Sequence, residues 1–161
     1  MPLLINDSNI KIKSINKTLL KKTLIKTMEY LNIENRHIDI TFINDSQMKM
    51  LNRKYAKKNI STDVLSFSVE GYDKELLGNI FISLNYAKKN TFNNSNSLVK
   101  EVKILCIHGI LHLLGYDHSN KKSEKVMFDL QEKLYEKFSY VKFRFRLLFH
   151  IHQTLQYLAN L

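Results

Sequence analysis

Apolar residues recur along this chain at two different periods. Between residues 14 and 31, Ile15, Leu19, Leu20, Leu24, Met28 and Leu31 fall at helical spacing with lysines on the opposite face, which predicts an amphipathic surface helix. Residues 37–43 instead alternate and are rich in β-branched side chains, the pattern of a half-buried strand. Asn44-Asp45-Ser46 is a helix start signal, followed by Met48, Leu51 and Tyr55 on one face. After a polar break at residues 60–63, residues 64–69 and 77–83 read as two strands that pair across a turn at 71–74. A short helix over 84–96 runs into an apolar-free stretch, Asn93-Asn94-Ser95-Asn96. Residues 98–114 form a helix apolar on nearly every side, which predicts burial, and Gly115 fits the position just past its end. A further helix over 121–138 would turn Val126, Met127, Leu130, Leu134 and Phe138 inward. Residues 3–5 and 10–12 are short apolar pieces that suit an edge strand. The order predicts an α+β domain with a small mixed sheet of about four strands packed with helices.

Residues 141–161 break the pattern. Val141, Phe143, Phe145 and Leu147 alternate as in a strand, whereas Leu148, Ile151, Leu155 and Leu158 fit one face of a helix, and both readings stand. The segment holds Lys142, Arg144 and Arg146 and no acid. One domain over residues 1–140 followed by this basic, apolar tail is the expected organisation.

The 161 residues are 44% hydrophobic and 25% charged, a balance that suits a globular domain with one sizeable core. No run of ~18 apolar residues predicts a membrane span, and the N-terminal residues lack the features of a signal peptide. The single cysteine, Cys106, permits no internal disulfide and lies in an apolar run, so it reads as packing in a protein of a reducing compartment, the cytoplasm. The net charge of +10 fits a polyanionic partner such as nucleic acid, or else a surface solvated by lysine, since only Arg36, Arg53, Arg144 and Arg146 among 25 basic residues are arginine.

The candidate chemistry lies at residues 108–118. His108 and His112 are four apart on the apolar helix, so their side chains stack on one face, ~6 Å apart at Cβ, within reach of one ion. Gly115 can adopt the left-handed conformation that swings His118 back toward the same point. Three neutral imidazoles suit one Zn²⁺ per chain and leave the fourth position open, the arrangement of catalytic rather than structural zinc. Metzincin proteases share the histidine spacing but carry Glu directly after the first histidine as general base; here that residue is Gly109, which cannot take a proton. His37 reads as a solvated strand residue, and His150 and His152 lie in the tail.

The stretch from His108 through Gly115-Tyr116-Asp117-His118 resembles the signature of the YbeY family, bacterial endoribonucleases of rRNA maturation. Ser61-Thr62-Asp63-Val64-Leu65-Ser66-Phe67 and Leu77-Gly78-Asn79-Ile80-Phe81-Ile82-Ser83 resemble two further segments of it, so the likeness spans roughly residues 35–138. The resemblance implies a cytoplasmic, zinc-dependent enzyme that cleaves single-stranded RNA. It implies a part in 16S rRNA 3′-end maturation and ribosome quality control, with rRNA of the small ribosomal subunit as partner and His108, His112 and His118 as zinc ligands. Three departures stand out. Ala56 follows Tyr55 where the family usually has a catalytic arginine, Asn79 stands in place of an aspartate, and residues 141–161 extend past the family's usual end.

Metal-assisted hydrolysis is the reaction that both lines of reading reach, with zinc acidifying a water and polarising a phosphoryl oxygen. Arg53, three residues before Ala56, is the candidate to replace the missing arginine, and Arg53, Lys57 and Lys58 are candidates to hold the phosphate backbone. Asp117 is either an orienting partner for a histidine or a turn-capping residue. Tyr55, Phe67 and Tyr116 are candidates to stack on bases, Phe67 with a competing place in the core. Two other functions compete with the nuclease: a non-catalytic RNA- or ribosome-binding protein with a structural zinc, and a zinc peptidase lacking the usual glutamate.

Overall fold

The computed structural model describes residues 3–7, 15–69, 75–94 and 97–139. The elements run β1 (Leu3–Asp7), α1 (Lys17–Tyr30), β2 (His37–Ile43), α2 (Asp45–Ala56), β3 (Val64–Ser68), β4 (Leu76–Ser83), α3 (Leu84–Asn94), α4 (Leu98–Leu113) and α5 (Lys121–Ser139). The sheet order is β1-β2-β4-β3. β1 pairs parallel with β2 and β2 parallel with β4, while β3 pairs antiparallel with β4. The expected mixed sheet of four strands is therefore present, with β1 at its edge. The tail and the turn at 71–74 lie outside the described residues, as does the apolar piece at 10–12.

Strand alternation divides the sheet into two unlike faces. Register sets Ile38, Ile40 and Phe42 of β2 beside Gly78, Ile80 and Ile82 of β4, and sets Val64 and Ser66 of β3 beside Ile82 and Ile80. This face carries the main core, into which α1 sends Leu20, Leu24 and Met28 and α4 sends Val102, Cys106, Ile107 and Ile110. The opposite face carries Asp39, Asn79, Phe67 and Phe81. There Tyr55 of α2 packs on Phe67 with ring centroids 4.8 Å apart, and Phe67 meets Phe81 at 6.0 Å.

α4 is buried along most of its length, as its composition predicts, and it packs against α1, α3, α5, β3 and β4. α5 lies over it through Met127 and Leu134, both fully buried, with Leu130 and Phe138 packed alongside. Val126, expected inward, is instead 52% exposed. Positions 127 and 134 are two helical turns apart and define the seam, and residue 126 lies about 100° away from it. Three helix starts carry a side-chain cap, one of them the predicted start at Asn44. Asn44 and Gln47 form a reciprocal capping box on α2, Asn16 caps α1, and Ser97 caps α4.

Candidate metal centre

The C-terminus of α4 positions the site. The Tyr116 amide donates to the Leu111 carbonyl at 3.0 Å and the Gly115 amide to the His112 carbonyl at 2.9 Å, the paired bonds of a Schellman motif. It requires a left-handed residue, and Gly115 has φ of 86°. The chain reverses there and returns His118 to the face that carries His108 and His112. All three offer ring nitrogens within 4.8 Å of one another, the convergence that the spacing predicts.

The geometry fits a zinc ion. His108 Nε2 and His112 Nε2 face each other at 3.0 Å; two imidazole nitrogens on a tetrahedral zinc sit about 3.4 Å apart. His108 Nδ1 donates to Gln131 Oε1 of α5 at 2.8 Å, which leaves Nε2 with its lone pair directed at the other histidines. The His112 ring is bonded to the Tyr116 backbone. Burial holds both His108 and His112 below the ordinary histidine range, so they are neutral at physiological pH. For His108 the Gln131 bond and the Asp63 charge oppose that shift and His118 reinforces it; for His112 the neighbouring histidines reinforce it. Neutral, converging imidazoles on one half-buried face are what a divalent metal needs.

The histidines line a cleft of about 460 Å³. One wall is polar. Asn90 Nδ2 of α3 donates to Glu101 Oε1 at 3.1 Å and lies 3.5 Å from Asp63 Oδ2, while Asp63 Oδ1 accepts from the Val64 amide at 2.9 Å. The other wall is aromatic. Phe128 of α5 is 40% exposed, and its ring lies 8° from parallel with His118, 6.2 Å away. Ser66 Oγ, also in the cleft wall, is buried without a hydrogen-bond partner among the described residues.

Other candidates fall elsewhere. Arg53 and Lys58 are exposed and line no part of this cleft, and Lys57 is the exposed C-cap of α2 with φ of 60°. These residues connect to the cleft wall through the chain segment leading to Thr62 and Asp63, which Asn52 fastens by donating to the Ile60 carbonyl at 2.8 Å. Asp117 accepts from the Ser119 amide and hydroxyl, the turn-capping alternative, and Ser123 first, then these bonds, hold its carboxyl below the usual range. Phe67 and Tyr55 lie on the far face of the sheet, and Tyr116 packs against the core. Asn79 shares that far face, so the departure at this position is remote from the histidines. Gln131, Phe128, Asn90 and Glu101 were not singled out by sequence. The available signal was Gln131 itself, a polar residue in the seam formed by Met127, Leu130, Leu134 and Phe138.

Residues 4–139 match the family described as Endoribonuclease YbeY. An Endoribonuclease YbeY from Persephonella marina is 43% identical over 129 residues, covering 77% of this chain and 84% of that protein. One from Phytoplasma mali is 41% identical over 132 residues, 82% of this chain and 84% of that protein. One from Bacillus cereus is 33% identical and covers 86% of this chain and 97% of its own. A solution structure of a Thermotoga maritima protein superposes with a TM-score of 0.61 at 28% identity, over 89% of this chain and 93% of that one.

Proposed function

Because the chain belongs to the YbeY endoribonuclease family, we propose that it is a zinc-dependent, single-strand-specific endoribonuclease of rRNA processing. On this reading it acts in the cytoplasm on rRNA of the small ribosomal subunit, in 16S rRNA 3′-end maturation and ribosome quality control. Residues 1–140 form the hydrolase domain and 141–161 an appended segment. Among the described residues no helix is long and apolar enough to cross a membrane.

The observation that carries the reading is the convergence of His108, His112 and His118 in an open cleft. These three would hold one zinc, with Gln131 and the Tyr116 backbone fixing the directions of His108 and His112. When bound there, zinc supplies Lewis acidity toward a phosphoryl oxygen and lowers the pKa of a water. Phe128 covers the histidines on the α5 side and offers a face to an unpaired nucleobase, a contact that a paired base inside a duplex cannot make. Asp63, held by Thr62, Val64 and Asn90, sets its carboxyl beside His108. Arg53, Lys57 and Lys58 hold the phosphate backbone beyond the cleft.

The test is to incubate the purified protein with single-stranded RNA, duplex RNA and casein, each with and without a chelator. Cleavage of single-stranded RNA alone, abolished by the chelator, supports the reading. RNA binding without cleavage would instead make the protein a binding module, and cleavage of casein would make it a peptidase.

A further inference from the structure

We infer that Gln131 is a positioning residue for the metal centre: its side-chain carbonyl selects the His108 tautomer that can ligate and sets how strongly that ligand donates. The inference rests on the metal-binding role assigned above. It begins from an anomaly in α5. The inward face of this helix is Met127, Leu130, Leu134 and Phe138, all packed on the core, and Gln131 interrupts it. An amide in an apolar seam costs stability unless it is hydrogen-bonded. Its partner is His108 Nδ1 at 2.8 Å.

A carbonyl oxygen only accepts, so this bond places the proton on Nδ1 and leaves Nε2 free. Nε2 is the atom that faces His112 at 3.0 Å. The other tautomer would carry a hydrogen on Nε2, aimed at the point where the three rings converge. The acceptor is moreover a neutral amide. A carboxylate in its place would pull harder on the Nδ1 proton, make Nε2 more basic and strengthen its hold on the metal. With Gln131 the chain takes the correct tautomer and forgoes that extra donation, leaving the metal more electron-poor. His118, in the loop after α4, has no comparable hydrogen-bond partner among the bonds described, so the fixed direction belongs to the helical ligands.

Three variants separate this role from mere packing. Gln131→Leu keeps size and removes the acceptor. Gln131→Glu keeps the acceptor and adds charge. Gln131→Met keeps an unbranched chain and removes the acceptor. The readouts are Zn²⁺ affinity by competition with a chromophoric chelator, the visible absorption bands of the Co²⁺-loaded protein, and thermal unfolding of the metal-free protein. Gln131→Leu and Gln131→Met should each weaken Zn²⁺ binding about 10–100-fold and alter the Co²⁺ bands. Gln131→Glu should bind Zn²⁺ at least as tightly as the parent and keep tetrahedral Co²⁺ bands. Equal Zn²⁺ affinity in all four proteins would overturn the inference, as would losses in Gln131→Leu that follow its melting temperature and spare Gln131→Met. If the parent protein itself bound no metal, the metal-binding role would fail first, and the affinity measurement on the parent reports that separately.

Discussion

Gly109 of α4 lies against Ile80 of β4 so closely that a Cβ at position 109 would sit 2.7 Å from Ile80 Cγ2, with Ser66 Oγ 3.1 Å away. Ile80 is fully buried and branched at Cβ, so it cannot swing aside cheaply. The residue after the first histidine therefore faces the sheet. A glutamate there, as in metzincins, would collide with Ile80 and Ser66 from its Cβ onward.

Gly109→Ala tests this contact. Alanine improves helix propensity by about 1 kcal/mol, while overpacking a core costs about 1–3 kcal/mol. The expected net loss is up to about 2 kcal/mol, with weakened zinc binding because α4 carries two of the three converging histidines. Urea unfolding and a zinc titration check both; an unchanged midpoint would show that the sheet yields there.

The stability of the metal-free protein should depend on pH in a stated direction. Burial depresses His108 and His112 in the folded state, and the unfolded chain titrates near the ordinary value of about 6.5. The unfolded state thus binds more protons below that pH. The contribution is complete above about pH 6.5 and is lost as pH falls through the folded values. Urea midpoints measured from about pH 7.5 down to about pH 5 should fall, and His108→Gln/His112→Gln should flatten the decline. A decline of equal steepness in the double variant would assign it to other groups.

How far the site was legible follows from where its parts lie in the chain. The three histidines occupy one helix and the loop after it, so helical geometry and one left-handed glycine are enough to bring them together. Gln131 and Phe128 reach the same point only because α5 packs across α4, a tertiary relation that local periodicity does not encode. Periodicity likewise placed Val126 in the seam beside Met127, where the structure exposes it. Of the aromatic residues picked out by position, Phe67 alternates onto the far face of the sheet, which only the strand register fixes, and Tyr55 of α2 packs on it there. The strands β2 and β3 were readable because one ends at a capping residue, Asn44, and the other follows a polar break at residues 60–63.

Phe128→Ala should leave zinc content unchanged and reduce cleavage of single-stranded RNA. Base–aromatic stacking is worth about 1–3 kcal/mol, or about 5- to 150-fold. The loss should shrink on a substrate abasic next to the cut. Steady-state kinetics on both substrates decide this, and an equal loss on both would remove the stacking role.

Arg53→Ala should weaken RNA binding across sequences and lower the slope of log K against log salt by about 1, the signature of one lost phosphate contact. Zinc content should not change. Filter binding over a salt series measures it; an unaltered slope would place Arg53 away from the RNA.

The thiol of Cys106 is fully buried, and desolvation pushes its pKa far above the usual value. A thiol reagent should therefore label the native protein only at the rate at which it unfolds. Rapid labelling under native conditions would contradict the packing of α4.

The most direct measurement is a zinc titration of chelator-stripped protein, with cleavage of a single-stranded RNA as the readout. Activity should be absent at first, rise linearly and level off at one equivalent per chain, and it should not return in His108→Ala, His112→Ala or His118→Ala. Full cleavage by the stripped protein, or by any of those three variants, would contradict a zinc-dependent nuclease built on these histidines.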